Sequence, residues 1–225
     1  ADTVVVEIRD AGGNPVTSAG TTNTVAVALL GGTAGAHLIG NASLAATSGV
    51  ATFTGLNVDS AGTGYTLRAT ATGLTGATSA AFTVTPGDAT KLLFVSAPAA
   101  QVVAGTPIAI QVALVDAFGN RSVQSSSQVS LVLGGVGTTQ GGSLLGSTTQ
   151  APSSGTAVFS VRVRKAAAAY TLQATADGLT SSPAATFDVV AGAPKRLGFL
   201  QQPTGAAPAA MIAPAVTVEV RDSAD

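Results

Sequence analysis

Residues Ile110–Asn120 read IQVALVDAFGN. Along an extended chain Ile110, Val112 and Leu114 share one face, and Gln111, Ala113 and Val115 share the other. Alternation with a period of two marks a half-buried strand. The D-A-F-G-N ending marks a turn. An aspartate side chain accepts backbone N–H groups two residues on, and Gly and Asn tolerate positive φ. Near-copies stand at Val4–Asn14 (VVVEIRDAGGN) and Val216–Asp222 (VTVEVRD). Their aspartates, Asp10, Asp116 and Asp222, are spaced evenly by 106 residues, from 10 to 116 and from 116 to 222. Such a period predicts a tandem array of small all-β domains.

Other landmarks keep the same register. Phe53 matches Phe159, Tyr65 matches Tyr170, Phe82 matches Phe187, and Phe94 matches Phe199. Pro and Gly punctuate PGDAT (Pro86–Thr90) and AGAP (Ala191–Pro194), where the pattern restarts. The expected organisation is therefore a first repeat over 1–86 that lacks its opening strand, a second over 87–191, and the start of a third over 192–225. On this reading the sequence is a piece of something longer. Asp10, Asn14, Asp116 and Asn120 are read as turn residues, and Phe53, Phe159, Tyr65 and Tyr170 as core.

Composition narrows the class. Hydrophobic residues make up 46% of the 225, aromatics only 4%, and Trp is absent, so cores must be built from Val, Leu, Ile and Ala around a few Phe and Tyr. That suits thin two-layer β domains. Charged residues are 9%, far below the roughly 25% of ordinary globular proteins, and the net charge is −1. With no basic run, nothing tracks a phosphate backbone, and no nucleic-acid partner is expected. The absence of cysteine excludes a disulfide framework and thiolate metal sites. Leu92–Val115 carries no charge, but Pro98, Gly105, Pro107 and Gln111 interrupt it. It reads as two short strands with a loop, and no membrane insertion is expected.

About seven short strands per repeat, with closely spaced turn signals, predict a β-sandwich. In immunoglobulin-type domains a Tyr near the start of the sixth strand closes a corner two residues before a core position. Tyr65 precedes Leu67 in this way, and Tyr170 precedes Leu172. Residues 164–170 (RKAAAAY) lack the Asp and glycines of residues 59–65 (DSAGTGY), so a different turn is expected there. The chain resembles bacterial immunoglobulin-like repeats, strung in tandem in surface proteins such as invasin- and intimin-type adhesins. The resemblance rests on the V-x-V-x-x-x-D-x-x-G-N turn, on Ser48–Phe53 and Ser154–Phe159, and on the Y-T-L-x-A-T-A strand. It implies tandem antiparallel β-sandwiches acting as a spacer or stalk, at the cell surface or secreted. The partners it implies are neighbouring repeats of the same chain.

The candidate chemistry is sparse. His37 is the sole histidine, and its counterpart in the second repeat is Ser143. A Ser-His-Asp triad lacks a nucleophile elbow, and the expectation is a surface histidine and no enzyme. Glu7 and Glu219 are copies of each other beside Arg9 and Arg221, which predicts surface ion pairs. No cofactor or resident metal is expected. The calcium candidates are Asp88 in one linker and Asp188 near the other, because hard cations take carboxylate oxygens. The alternative to a spacer is a binding or self-assembling module. The first repeat lacks a strand like Lys91–Val95, and Arg196–Leu200 supplies a spare copy.

Overall fold

The computed structural model describes residues 3–18, 23–179, 181 and 185–224. The chain forms two compact units, Ala1–Gly87 with Ala117–Asn120, and Asp88–Asp116 with Arg121–Asp225.

The first unit contains β1 (Val4–Glu7), β2 (Thr24–Gly31), β3 (Leu38–Ile39), β4 (Ser43–Ala45), β5 (Val50–Phe53), β6 (Asn57–Val58), β7 (Gly62–Ala71), β8 (Ala77–Thr78) and β9 (Phe82–Val84). β1 pairs antiparallel with β5, with Val4 opposite Phe53 and Val6 opposite Ala51. A second sheet runs β4-β2-β7-β8, with β9 also on β7, and β3 pairs with β6. Phe53, Ala51, Val25 and Val27 form the buried core between β1–β5 and β2–β7.

The second unit contains β10 (Lys91–Ser96), β11 (Gln101–Val103), β12 (Ile108–Val115), β13 (Val129–Gly135), the single helical turn α1 (Val136–Thr139), β14 (Leu144–Gly146), β15 (Thr149–Gln150), β16 (Thr156–Val163), β17 (Ala167–Ala176) and β18 (Ala185–Val190). One sheet has the order β10-β12-β16-β14, and the other β11-β18-β17-β13-β15. The core face read at Ile110–Val115 is realised, since Ile110, Val112 and Leu114 meet Phe159, Val161, Leu131, Leu172 and Val189 in one core, but the expected exposed face is not: Gln111 is exposed while Ala113 and Val115 are buried. Burial of these apolar faces on both sheets is the driving force for the sandwich. The expected two strands across Leu92–Val115 are three. After β10 the chain crosses to the other sheet, where β11 pairs with β18 in parallel, with Gln101 opposite Asp188 and Val103 opposite Val190.

The same unit also includes β19 (Arg196–Gln201) and β20 (Thr217–Arg221), an antiparallel pair with Leu197 opposite Val220 and Phe199 opposite Val218. This pair has the sequence of β10 and β12 without a facing sheet among the described residues. Leu197 is accordingly 71% exposed, whereas its counterpart Leu92 is 4% exposed.

The two sandwiches differ at one edge. β12 is held by β10 on one side and β16 on the other, and Ile110, Val112, Leu172 and Ala174 are fully buried. β1 has β5 as its neighbour among the described residues, and the matching Val4, Val6, Leu67 and Ala69 are only half-buried.

Candidate functional site

The turn after β1 is built on Asp10. Its Oδ1 accepts the backbone N–H groups of Gly12 at 2.9 Å and Asn14 at 2.8 Å, and Asn14 Nδ2 donates to the same carboxylate at 3.2 Å. The positive φ falls on Gly13 (83°) and, in the second copy, on Gly119 (94°). The two asparagines serve through their side chains instead. Asn120 belongs to the first unit, where its Oδ1 accepts the Ala61 N–H at 2.8 Å and its Nδ2 donates to the Asp59 carbonyl at 2.9 Å. A side-chain amide thereby satisfies a loop donor and acceptor together. Asp116 is buried. Asp222, also buried, ties a linker to a turn: Oδ2 accepts from Gly192 N–H at 2.6 Å and Oδ1 from Ala224 N–H at 2.8 Å. Asp10 and Asp222 act as turn formers, their carboxylates accepting backbone N–H groups.

The two tyrosines close matching corners. Tyr65 Oη donates to the Ser60 carbonyl at 2.9 Å, and Tyr170 Oη to the Lys165 carbonyl at 2.9 Å. Each ring is buried against its paired phenylalanine, Tyr65 with Phe82 at 5.8 Å and Tyr170 with Phe187 at 5.7 Å between centroids. Burial pushes the Tyr170 hydroxyl above its ordinary range. The different turn expected before Tyr170 is not found. Ala169 takes a left-handed φ of 57°, where the first repeat has Gly64 at 75°. Asp188 holds it there, its Oδ1 accepting the Ala169 N–H at 2.9 Å. The chain is all-β and builds tandem immunoglobulin-like sandwiches.

The calcium candidates stand apart. Asp188 is committed to the Ala169 amide, and Asp88 is an exposed linker residue. Among the described residues no group of three or more His, Asp or Glu side chains gathers around a common point. His37 is exposed and pairs with Asp59: its backbone N–H donates to Oδ1 at 2.8 Å, and its ring Nδ1 lies 2.9 Å from Oδ2. Ser60 Oγ donates to Asp59 Oδ1 at 3.0 Å. The acid thus stands between the serine and the histidine. A triad needs the histidine in the middle, so this cluster is a loop clasp. Sequence spacing gave no sign of it, because residues 37 and 59 meet only through the fold. The ion pairs expected from sequence are present, Glu7 with Arg9 at 2.7 Å and Glu219 with Arg221.

Two carboxyls of the first unit lie below the usual carboxylate range. Asp10 is lowered chiefly by the Asn14 backbone N–H and then by its side chain; Asp59 is lowered chiefly by the His37 backbone N–H and then by its ring. A carboxylate with a depressed folded-state pKa stabilises above its unfolded value, and the contribution fades as pH falls through the folded one. The first unit is therefore expected to lose stability as pH drops below about 4. Thermal melts of Asp10→Asn with Asp59→Asn should show a flatter acid limb than the unsubstituted chain.

Beside β1 lies a groove made of two adjoining cavities of about 440 and 620 Å³. Both are lined by Val6, Glu7, Arg9, Ala69 and Ala77. It borders β1, the counterpart of β12, which pairs with β10 in the second sandwich.

No protein-family model matches the sequence, and no curated protein matches it. Among solved structures it is similar to a beta-glycosidase from Bacteroides vulgatus, with 16% identity and a TM-score of 0.41, over 83% of this chain and 24% of that one. It is similar to the Escherichia coli adhesin FdeC, with 19% identity and a TM-score of 0.40, over 99% of this chain and 68% of that one. It is also similar to a domain of intimin, with 16% identity and a TM-score of 0.30, over 82% of this chain and 88% of that one. The chain spans about a quarter of the length of the glycosidase.

Proposed function

We propose that the chain is a load-bearing spacer, composed of repeats over 1–86, 87–191 and 192–225, in a secreted or surface-exposed bacterial protein. Its partners on this reading are neighbouring repeats, and no catalytic step is assigned to it. The observation that carries the reading is the parallel pairing of β11 with β18. One strand lies near the entry of the second sandwich and the other near its exit. Pulling the ends apart loads their hydrogen bonds in shear, so that several must fail together. The pair is flanked by Asp188 N–H to the Ala100 carbonyl at 2.9 Å and Ala104 N–H to the Val190 carbonyl at 2.8 Å. The motif resemblance to tandem surface repeats supports the same reading.

Single-molecule stretching of the chain tests it. The second sandwich is expected to rupture in one event that releases roughly 30–35 nm, at about 3.3–3.6 Å per residue. The first unit, with no such pair among its described residues, should yield at lower force. Ala104→Pro removes the donor to Val190 and should lower the second rupture force. A chain that extends without a distinct second peak would refute the spacer reading. The second reading, a self-assembling module, is favoured by the groove beside β1.

A further inference from the structure

We propose that Asn41 is an acceptor for N-linked glycan, and that the fold closes the chain's other acceptor motif. Transfer of an oligosaccharide to asparagine requires N-x-S/T, with x other than Pro. The pattern occurs at Asn41-Ala42-Ser43 and at Asn120-Arg121-Ser122.

Placement separates the two. Asn41 lies between β3 and β4, and Ser43 opens β4; both residues are exposed. Asn41 Oδ1 accepts the Ser43 N–H at 3.3 Å, which folds the motif back on itself. Asn41 Nδ2 and the Ser43 hydroxyl make no hydrogen bond among the described residues. β4 is an edge strand, paired with β2 on one side, so the motif stands at the open border of its sheet. Asn120 is the reverse case. Its Oδ1 is taken by the Ala61 N–H, its Nδ2 by the Asp59 carbonyl, and Ser122 is fully buried.

The turn itself does not need asparagine at 41. The second sandwich carries LLGS (144–147) where the first has LIGN (38–41), so Ser147 stands in that place. Gly40 and Gly146 shape the turn at φ 117° and 107°, and at each an added Cβ would stand 2.7 Å from a backbone oxygen. Asn41 is thus a side chain that the backbone leaves free to vary. The co-substrate is an oligosaccharide carried on a polyprenyl pyrophosphate. Asn41 Nδ2 bonds to the anomeric carbon, and the bond from that carbon to the pyrophosphate oxygen breaks. The lipid pyrophosphate leaves with the electron pair, and an amide proton passes to a base of the transferring enzyme. The product sets a bulky hydrophilic group beside a sheet edge, on a chain with only 9% charged residues. Such a group blocks strand pairing there and adds solubility. The proposal goes beyond the spacer reading and does not rest on it.

Incubation of the folded chain with a single-subunit oligosaccharyltransferase that reads N-x-S/T, and with its lipid-linked oligosaccharide, tests it. The intact mass should rise by one glycan, and peptide mapping should place that glycan on Asn41. Transfer to Asn120 should be at least about tenfold slower, because both hydrogen bonds of its amide must break first. Short peptides spanning 36–46 and 115–125 should both accept glycan, since neither holds the fold. Asn41→Ser, which copies the second sandwich, and Ser43→Ala should each abolish the Asn41 product. Asn41→Ser should also melt together with the unsubstituted chain. A folded chain that takes no glycan overturns the proposal, whether or not the 36–46 peptide accepts one. So does glycan that reaches Asn120 as fast as Asn41, or that survives on Asn41 in the Ser43→Ala variant.

Discussion

Phe159→Ala is expected to destabilise the second sandwich by about 3–5 kcal/mol, a large share of a small domain's stability. Phe159 stands midway along β16, opposite Ile110, and is 1% exposed. Removing the ring forfeits its transfer free energy and leaves a cavity. The walls of that cavity cannot close. β16 is laddered to β12 on one side and β14 on the other, and Leu172 of the other sheet and Val161 on the same strand are themselves locked in the core. The matching change in the first unit, Phe53→Ala, is expected to cost less, about 2–3 kcal/mol, at the low end for such substitutions. β1, which pairs with β5 beside Phe53, has β5 as its sheet neighbour among the described residues and borders the groove, so it can settle toward the space. Denaturant titration of the full chain should resolve two transitions, and each variant should shift one midpoint at unchanged slope. Equal losses in the two units would mean that the groove does not soften the first core.

Local patterns carried most of this fold into view. The alternation at Ile110–Val115 and the corner tyrosines depend on residues close in sequence, and period-two spacing reports them directly. β11 escaped notice because it is three residues long and its partner, β18, lies more than eighty residues away. The helical turn α1 has no periodic signal for a similar reason, being four residues seated after Gly135. The turn before Tyr170 was misjudged because positive φ was assigned to residue type alone. A carboxylate supplied from another strand, Asp188, holds an alanine in the conformation that a glycine takes in the first repeat. The His37–Asp59 clasp and the Asn120 contact were invisible for the same reason, since both bring distant loops together. The Glu7–Arg9 and Glu219–Arg221 pairs were legible because each joins residues two apart on one strand.

Gly32→Ala is expected to cost the first unit about 3 kcal/mol, the sum of left-handed backbone strain and overpacking. Gly32 has a φ of 70°, and an added Cβ would stand 2.0 Å from Tyr65 Cε1. The buried ring cannot yield, because its hydroxyl is tied to Ser60 and its face to Phe82. Gly137 plays the same part for Tyr170, with 2.4 Å between an added Cβ and the ring. The glycine-rich loops are thus seats for the corner tyrosines. Gly64→Ala supplies the contrast. Its φ is 75° but nothing lies within 4 Å of the added Cβ, so only backbone strain of about 1 kcal/mol is expected. The second repeat already carries Ala169 at that place, and Ala169→Gly should raise its stability by up to about 1 kcal/mol. Thermal melts of the three variants, with near-ultraviolet circular dichroism reporting the tyrosine environment, decide the matter. If Gly32→Ala and Gly64→Ala lower the first unit equally, close approach to the ring is not what fixes glycine there.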